Sequence, residues 1–167
     1  MIRNEYRLII LATIFTLALF SCSLKNMQSY EPPKVLGYST WEEWKEKTGW
    51  KENDNYILDK NKINKLKNLV NDNHKFVIFG TTFCDDCKDN IPKVIRILQE
   101  LQVPKNNIRL YGLDYDLTEP SGYYKNFKIP STPCVFILEA DKVLGSIAHP
   151  DYDWLDNILK IIEKSQG

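Results

Sequence analysis

The chain of 167 residues has no net charge, its 22 lysines and arginines being balanced by 22 aspartates and glutamates. It therefore lacks the basic field that draws in nucleic acid and any acidic tail that would seek a basic partner, which argues against nucleic-acid binding. Histidine and methionine are scarce, two of each, so there is no His-rich or Met-rich segment to collect a soft metal. There is no internal repeat and no low-complexity block. No apolar run reaches the ~20 residues that a permanent membrane-crossing helix needs. The remaining apolar and charged balance is that of an ordinary globular protein, long enough for one domain and an appendage.

The first residues break this even composition. Arg3 and Arg7 flank a polar start, positions 8–20 are apolar except for Thr13 and Thr16, and small Ser21 precedes Cys22. This is the positive, apolar and small-residue layout of a secretory signal. The run Leu19-Phe20-Ser21-Cys22 resembles a bacterial lipobox, although Phe20 stands where a small residue is usual. That resemblance implies cleavage before Cys22 and acylation of Cys22, with more than one acyl chain to make membrane attachment stable. The expected organisation is a lipoprotein signal peptide at 1–21, a lipidated cysteine and flexible tether at 22–38, and a domain with an N-terminal helical extension at 39–167. Pro32 and Pro33 mark the tether as extended. The expected location is the bacterial cell envelope, lipid-anchored and facing the periplasm or the outside.

Along the domain, Ser39 with Glu42, or Thr40 with Glu43, has capping-box spacing for a helix at 41–47 that Gly49 would end. Trp41 and Trp44 then share one helical face, as a docking stripe. Tyr56-Ile57-Leu58 reads as a short strand, and Asp59 as the cap of an amphipathic helix carrying Ile63, Leu66, Leu69 and Val70. Phe76-Val77-Ile78-Phe79 is a strand covered on both faces. A helix follows the next cysteines, with Ile91, Val94, Ile95, Leu98 and Leu101 on one face and a proline, Pro92, inside it. Strands are expected at 108–113, 134–138 and 143–147, an irregular helix within 117–127, and a final helix buried through Trp154, Leu155, Ile158, Leu159, Ile161 and Ile162. Alternating strands and helices followed by a hairpin and a last helix predict an α/β fold, a central mixed sheet flanked by helices on both faces.

With Cys22 lipidated, three cysteines remain, an odd number that does not fit a simple structural disulfide framework. Cys84-Asp85-Asp86-Cys87 places a cysteine pair where a strand ends and a helix begins. There, unpaired backbone N–H groups favour a thiolate at Cys84, the nucleophile, and Cys87 lies one turn further on to resolve a mixed disulfide. The same spacing is also half of many zinc sites, but zinc needs a second ligand pair, and Cys134, His74 and His149 are isolated. No metal site is therefore assigned. Cys134 reads as a small buried strand residue and the two histidines as surface or capping residues. Tyr123-Tyr124 is taken to pack on the sheet.

The run from Phe76 through Cys84-Asp85-Asp86-Cys87-Lys88, with Pro92 beyond it, resembles the active-site strand and kinked helix of thioredoxins. Ile129-Pro130-Ser131-Thr132-Pro133-Cys134 is similar to the cis-proline segment of the same family. The resemblance implies a thioredoxin-like fold in which Thr132-Pro133 faces the cysteine pair and, with Phe83, contacts substrate. It further implies a thiol–disulfide oxidoreductase, a reductase or isomerase, whose only cofactor is its own Cys84–Cys87 disulfide. Its partners would be exported proteins with disulfides or thiols and a membrane redox donor. The alternative is a copper chaperone or haem-pathway binding protein on the same fold.

Two departures from the family stand out. Ile78 occupies the place of a buried aspartate, leaving Asp85, Asp86, Asp114, Asp116 or a water to move the Cys87 proton. Asp85 and Asp86 are expected to tune the site by opposing the Cys84 thiolate, raising its pKa relative to an uncharged insert and favouring a reducing poise.

Overall fold

The computed structural model describes residues 32–148 and 153–167. The segment expected to be a signal peptide, Cys22 and His149 lie outside the described residues. The elements are β1 (Gly37–Ser39), α1 (Trp41–Thr48), α2 (Lys60–Leu69), β2 (His74–Gly80), α3 (Asp85–Glu100), β3 (Ile108–Gly112), β4 (Cys134–Glu139), β5 (Lys142–Ile147) and α4 (Trp154–Ser165). Short 3-10 turns occupy Lys105–Asn107 and Tyr123–Asn126.

Local sequence accounts for the helix ends. Thr40 caps α1 through the expected box, its side chain accepting from the Glu43 N–H while the Glu43 carboxylate accepts from the Thr40 N–H. Gly49 ends α1 in the left-handed region at φ +72°. Asp59 Oδ1 accepts from the N–H groups of Asn61 and Lys62 at 2.8 and 3.2 Å and starts α2. Helix α3 runs without a break through Pro92.

The strands form one mixed sheet in the order β1-β3-β2-β4-β5. Strand β2 is central, parallel to β3 and antiparallel to β4, while the edge strands β1 and β5 run antiparallel to their neighbours. Because side chains alternate across a strand, β2 feeds two cores. Phe76 and Ile78 join the buried faces of all four helices, with Trp41, Trp44, Leu66, Ile91, Leu98 and Trp154. Val77 and Phe79 point the other way, into an aromatic layer of Tyr111, Phe136, Tyr123 and Phe127 that the 3-10 turn after β3 covers. Tyr123 stacks on Tyr111 and accepts a hydrogen bond from Arg109, so it packs on the sheet as expected.

Three readings need correction. Tyr56-Ile57-Leu58 is not a strand, and Ile57 is 92 % exposed. Both sheet edges are already taken, by β5 and by β1, and β1 begins at Gly37, inside the segment read as tether. His74 is not a surface residue: it opens β2, is buried, and accepts the Asn71 N–H on Nδ1 at 3.1 Å.

The approach of the N-terminal segment to β3 depends on Gly112, because a Cβ there would collide with the Val35 carbonyl. Backbone atoms cannot step aside as the end of a side chain can. Gly112→Ala is therefore expected to cost about 1–3 kcal/mol and to speed amide exchange in residues 35–39, as read by denaturant unfolding and hydrogen exchange. Wild-type stability in this variant would show that the segment yields freely.

Candidate redox site

Strand β2 ends at Gly80, and the chain turns through Thr81-Thr82-Phe83 into α3. This turn makes Cys84 the N-cap residue of α3, with extended backbone and a half-buried side chain. Cys87, one turn on, is fully buried among the apolar residues beneath α3. The spacing thus gives one thiol that a substrate can reach and one that it cannot.

Three groups surround the sulfurs. In its protonated form the Cys84 thiol donates to the carbonyl of Thr132 at 3.7 Å. The Thr132–Pro133 peptide is cis, so the Thr132 carbonyl is presented directly across from α3. Cys87 Sγ accepts from the Thr81 N–H at 3.4 Å, and the Thr81 hydroxyl lies 3.9 Å from the same sulfur. No sequence signal singled out Thr81, since its role depends on the chain folding back over α3.

Electrostatics divide the pair. The Cys84 thiol is lowered to about 6, chiefly because the Cys87 S–H donates to its thiolate. The backbone N–H groups of Cys87 and Asp86 add to this effect, while burial and the Asp86 charge oppose it. Cys87 moves far upward, because it holds its proton as the donor to Cys84 and because it is buried. Asp86 therefore acts in the direction expected for the insert, but the hydrogen bonds outweigh it and the thiolate wins. At pH 7 Cys84 is therefore mostly ionised.

Helix α3 is held by a buried amide. Asn90 donates from Nδ2 to the Asp86 carbonyl at 2.9 Å, and its Oδ1 accepts from the Trp154 indole at 3.1 Å and from Lys93 at 3.2 Å. On one side of Cys84, Lys34, Trp50, Thr82, Phe83, Asp85 and Lys88 line a polar cavity of about 300 Å³. The Lys34 N–H donates to Thr82 Oγ1 at 2.8 Å, so the N-terminal segment helps to build this rim. On another side Phe83 stacks on Tyr115, ring centroids 3.8 Å apart.

The remaining candidates separate from the site. Cys134 is buried in the aromatic layer on the opposite face of the sheet from Cys87, where burial pushes its thiol up to about 12. Asp114, one candidate proton carrier, instead accepts from the Thr118 N–H and hydroxyl and from the Asp116 N–H. Ile78 is buried beneath α3 in place of an acid. Among the described residues, no three His, Cys, Asp or Glu side chains converge as a metal site.

No protein-family model matches the sequence, and no curated protein matches it. Solved structures similar to this chain include a protein of unknown function from Pseudomonas aeruginosa, at 15 % identity over 65 % of this chain and 76 % of that one, TM-score 0.48. Thioredoxin F from spinach chloroplast is similar at 22 % identity over 57 % and 73 %, TM-score 0.40. A thio-disulfide isomerase from Thermus thermophilus is similar at 18 % identity over 57 % and 82 %, TM-score 0.39. The fold is α/β, one mixed five-stranded sheet with helices. In this frame the CxxC caps the helix after the central strand, and the cis-proline precedes the strand paired with it.

The pKa of Cys84 gives a direct test. Its alkylation rate is expected to rise with pH around 6 and to level off above about 7, since only the thiolate reacts. Asp86→Asn removes a like charge, so the midpoint should fall, and the redox potential should become less negative by about 30 mV for each full unit. A midpoint that stays put in this variant would mean that solvent screens Asp86 completely.

Proposed function

We propose that this chain is a lipid-anchored, extracytoplasmic thiol–disulfide oxidoreductase that works as a reductase or isomerase on disulfides of exported proteins. The observation that carries the chemistry is the half-buried Cys84 at the N-cap of α3, with its sulfur 3.7 Å from the Thr132 carbonyl, and the buried Cys87 one turn further on. The anchoring and location rest on the signal layout at 1–21 and on Cys22. No helix among the described residues is long and apolar enough to cross a membrane.

The Cys84 thiolate attacks one sulfur of a substrate disulfide, forms a mixed disulfide and expels the other sulfur as a thiolate. Cys87 then gives up its proton and attacks Cys84 Sγ, which releases the second substrate thiolate and leaves the Cys84–Cys87 disulfide. Two electrons pass from the protein to the substrate, and a dithiol donor at the membrane restores the reduced pair. As an isomerase, the protein releases the mixed disulfide to another substrate thiol before Cys87 acts. The Thr132 backbone beside the cis-proline is the group placed to align an extended substrate chain.

The poise follows from the opposed charges. A thiolate pKa of about 6 at Cys84 is nearer the ~7 of a thioredoxin than the ~3.5 of a strong periplasmic oxidase. Burial and the Asp86 charge keep it from falling further. This favours donation of electrons over oxidation of substrate thiols.

With dithiothreitol as donor, the protein is expected to reduce insulin. Cys84→Ser should abolish turnover, and Cys87→Ala should accumulate mixed disulfides through Cys84. Stoichiometric copper binding without insulin turnover would favour the metal-carrier reading instead. For the anchor, radiolabelled palmitate is expected to label the full chain in a bacterial host and to leave Cys22→Ser unlabelled. A labelled Cys22→Ser variant would remove the lipoprotein assignment.

A further inference from the structure

Strand β1 runs against β3, which lies parallel to β2, so the chain enters the sheet at the end where β2 stops. Gly37 pairs with Gly112, and Gly112 pairs with Gly80, the last residue of β2. From Gly80 only the turn at 81–83 leads to Cys84. The residues before β1 are pinned to this same end. Val35 is buried with its carbonyl against Gly112, and the Lys34 N–H donates to Thr82 Oγ1 at 2.8 Å. Lys34 and Cys84 accordingly line one cavity.

The chain leaves the domain at the opposite end. Gln166 Nε2 donates to the carbonyl of Leu69 at 3.3 Å, and Leu69 closes α2 shortly before β2 opens at His74. The seven residues of β2 set the two ends roughly 20 Å apart. An edge strand of the other direction would have put the N-terminal entry there, away from Cys84.

We propose that the antiparallel β1 turns Cys84 toward the lipid bilayer, and that its substrate is a disulfide at the lipid surface in an exported polypeptide still held in the membrane. This rests on the lipid-anchored oxidoreductase reading and names the substrate class for that same site. Cys22 stands twelve residues before Lys34, and a chain of that length reaches at most about 40 Å however it is arranged. An acyl group on Cys22 therefore restrains the end of the domain that carries the redox pair, and it raises the effective concentration of Cys84 only for disulfides within that reach. The Cys84 thiolate displaces one sulfur of such a disulfide as a thiolate, and Cys87 displaces the other from Cys84. Two electrons pass to the substrate, and dithiothreitol can return them to the pair.

The test uses the full lipidated chain in phosphatidylcholine vesicles. A maleimide fluorophore on Cys84 is expected to transfer energy to headgroup acceptors more efficiently than one on the C-terminal thiol of a Cys84→Ser, Gly167→Cys chain. Equal or weaker transfer from Cys84 overturns the proposal. Two probes then carry the same disulfide, one at the lipid-surface end of a membrane-spanning polyleucine peptide and the other on that surface segment alone in solution. With dithiothreitol as donor, the wild type is expected to reduce the membrane-held disulfide on the order of 100-fold faster at equal bulk concentration. An alanine-rich helical spacer of about 60 Å inserted between Glu31 and Pro32 should lower that preference about tenfold or more and leave the rate on the soluble probe unchanged. A preference that survives the spacer overturns the proposal, including the case in which both probes slow alike. A lipidated wild type that reduces the soluble probe but shows no preference removes this inference alone. Reduction of neither probe removes the oxidoreductase reading, and a chain that takes up no palmitate removes the anchor, each taking this inference with it.

Discussion

The hydrogen bond from the buried Cys87 thiol to the Cys84 sulfur is the interaction on which the rest of the site depends. A thiol sealed beneath a helix cannot share its proton with water, so the partner it finds sets the charge of both sulfurs. Central strand β2 makes that sealing possible, because its flanking strands leave Ile78 and the underside of α3 no contact with solvent. The turn after β2 aims the Thr81 N–H at Cys87, while the cis-proline turn aims the Thr132 carbonyl at Cys84. The two sulfurs thus experience opposite surroundings within one turn of helix.

The acidic insert works against this frame without overcoming it. Asp86 faces a thiolate of its own sign, yet its backbone N–H supports that thiolate, and its carbonyl is gripped by Asn90. The same residue therefore supports and opposes the charge, through its main chain and its side chain. Because Asn90 also accepts from the Trp154 indole, the position of the insert is tied to α4, at the far end of the sequence. The order of the redox helix is a tertiary property as well as a local one.

Much of this was legible in the sequence, for physical reasons that differ by element. The strand at Phe76-Val77-Ile78-Phe79 and the faces of α3 and α4 carry strong periodicity because they are buried, and Thr40 and Asp59 announce helix starts through bonds made within a few residues. Strand β1 escaped because Gly37-Tyr38-Ser39 buries two small residues and exposes its one large one. Tyr56-Ile57-Leu58 misled because apolar residues of strand type carry no record of whether a sheet edge is free. At the site, the cysteine pair and Thr132-Pro133 were visible as motifs. Thr81 was not, because its bonds to Cys87 depend on the conformation of the turn before α3, and Tyr115 and the rim residue Lys34 were not, because each meets a segment distant in the chain. The net charge state of Cys84 was also beyond reach, since composition shows two nearby acids and not the thiol proton that outweighs Asp86.

The placement of Cys134 has a consequence for which disulfides the described thiols can form. The three described thiols could pair in three ways, two of which would cripple the molecule by consuming a working sulfur. The sheet stands between Cys134 and Cys87, since Cys134 sits on one side of it and Cys87 on the other, with Phe79 beside Cys134 and Ile78 facing α3. The layer that buries the core is thus also a partition between these two described sulfurs.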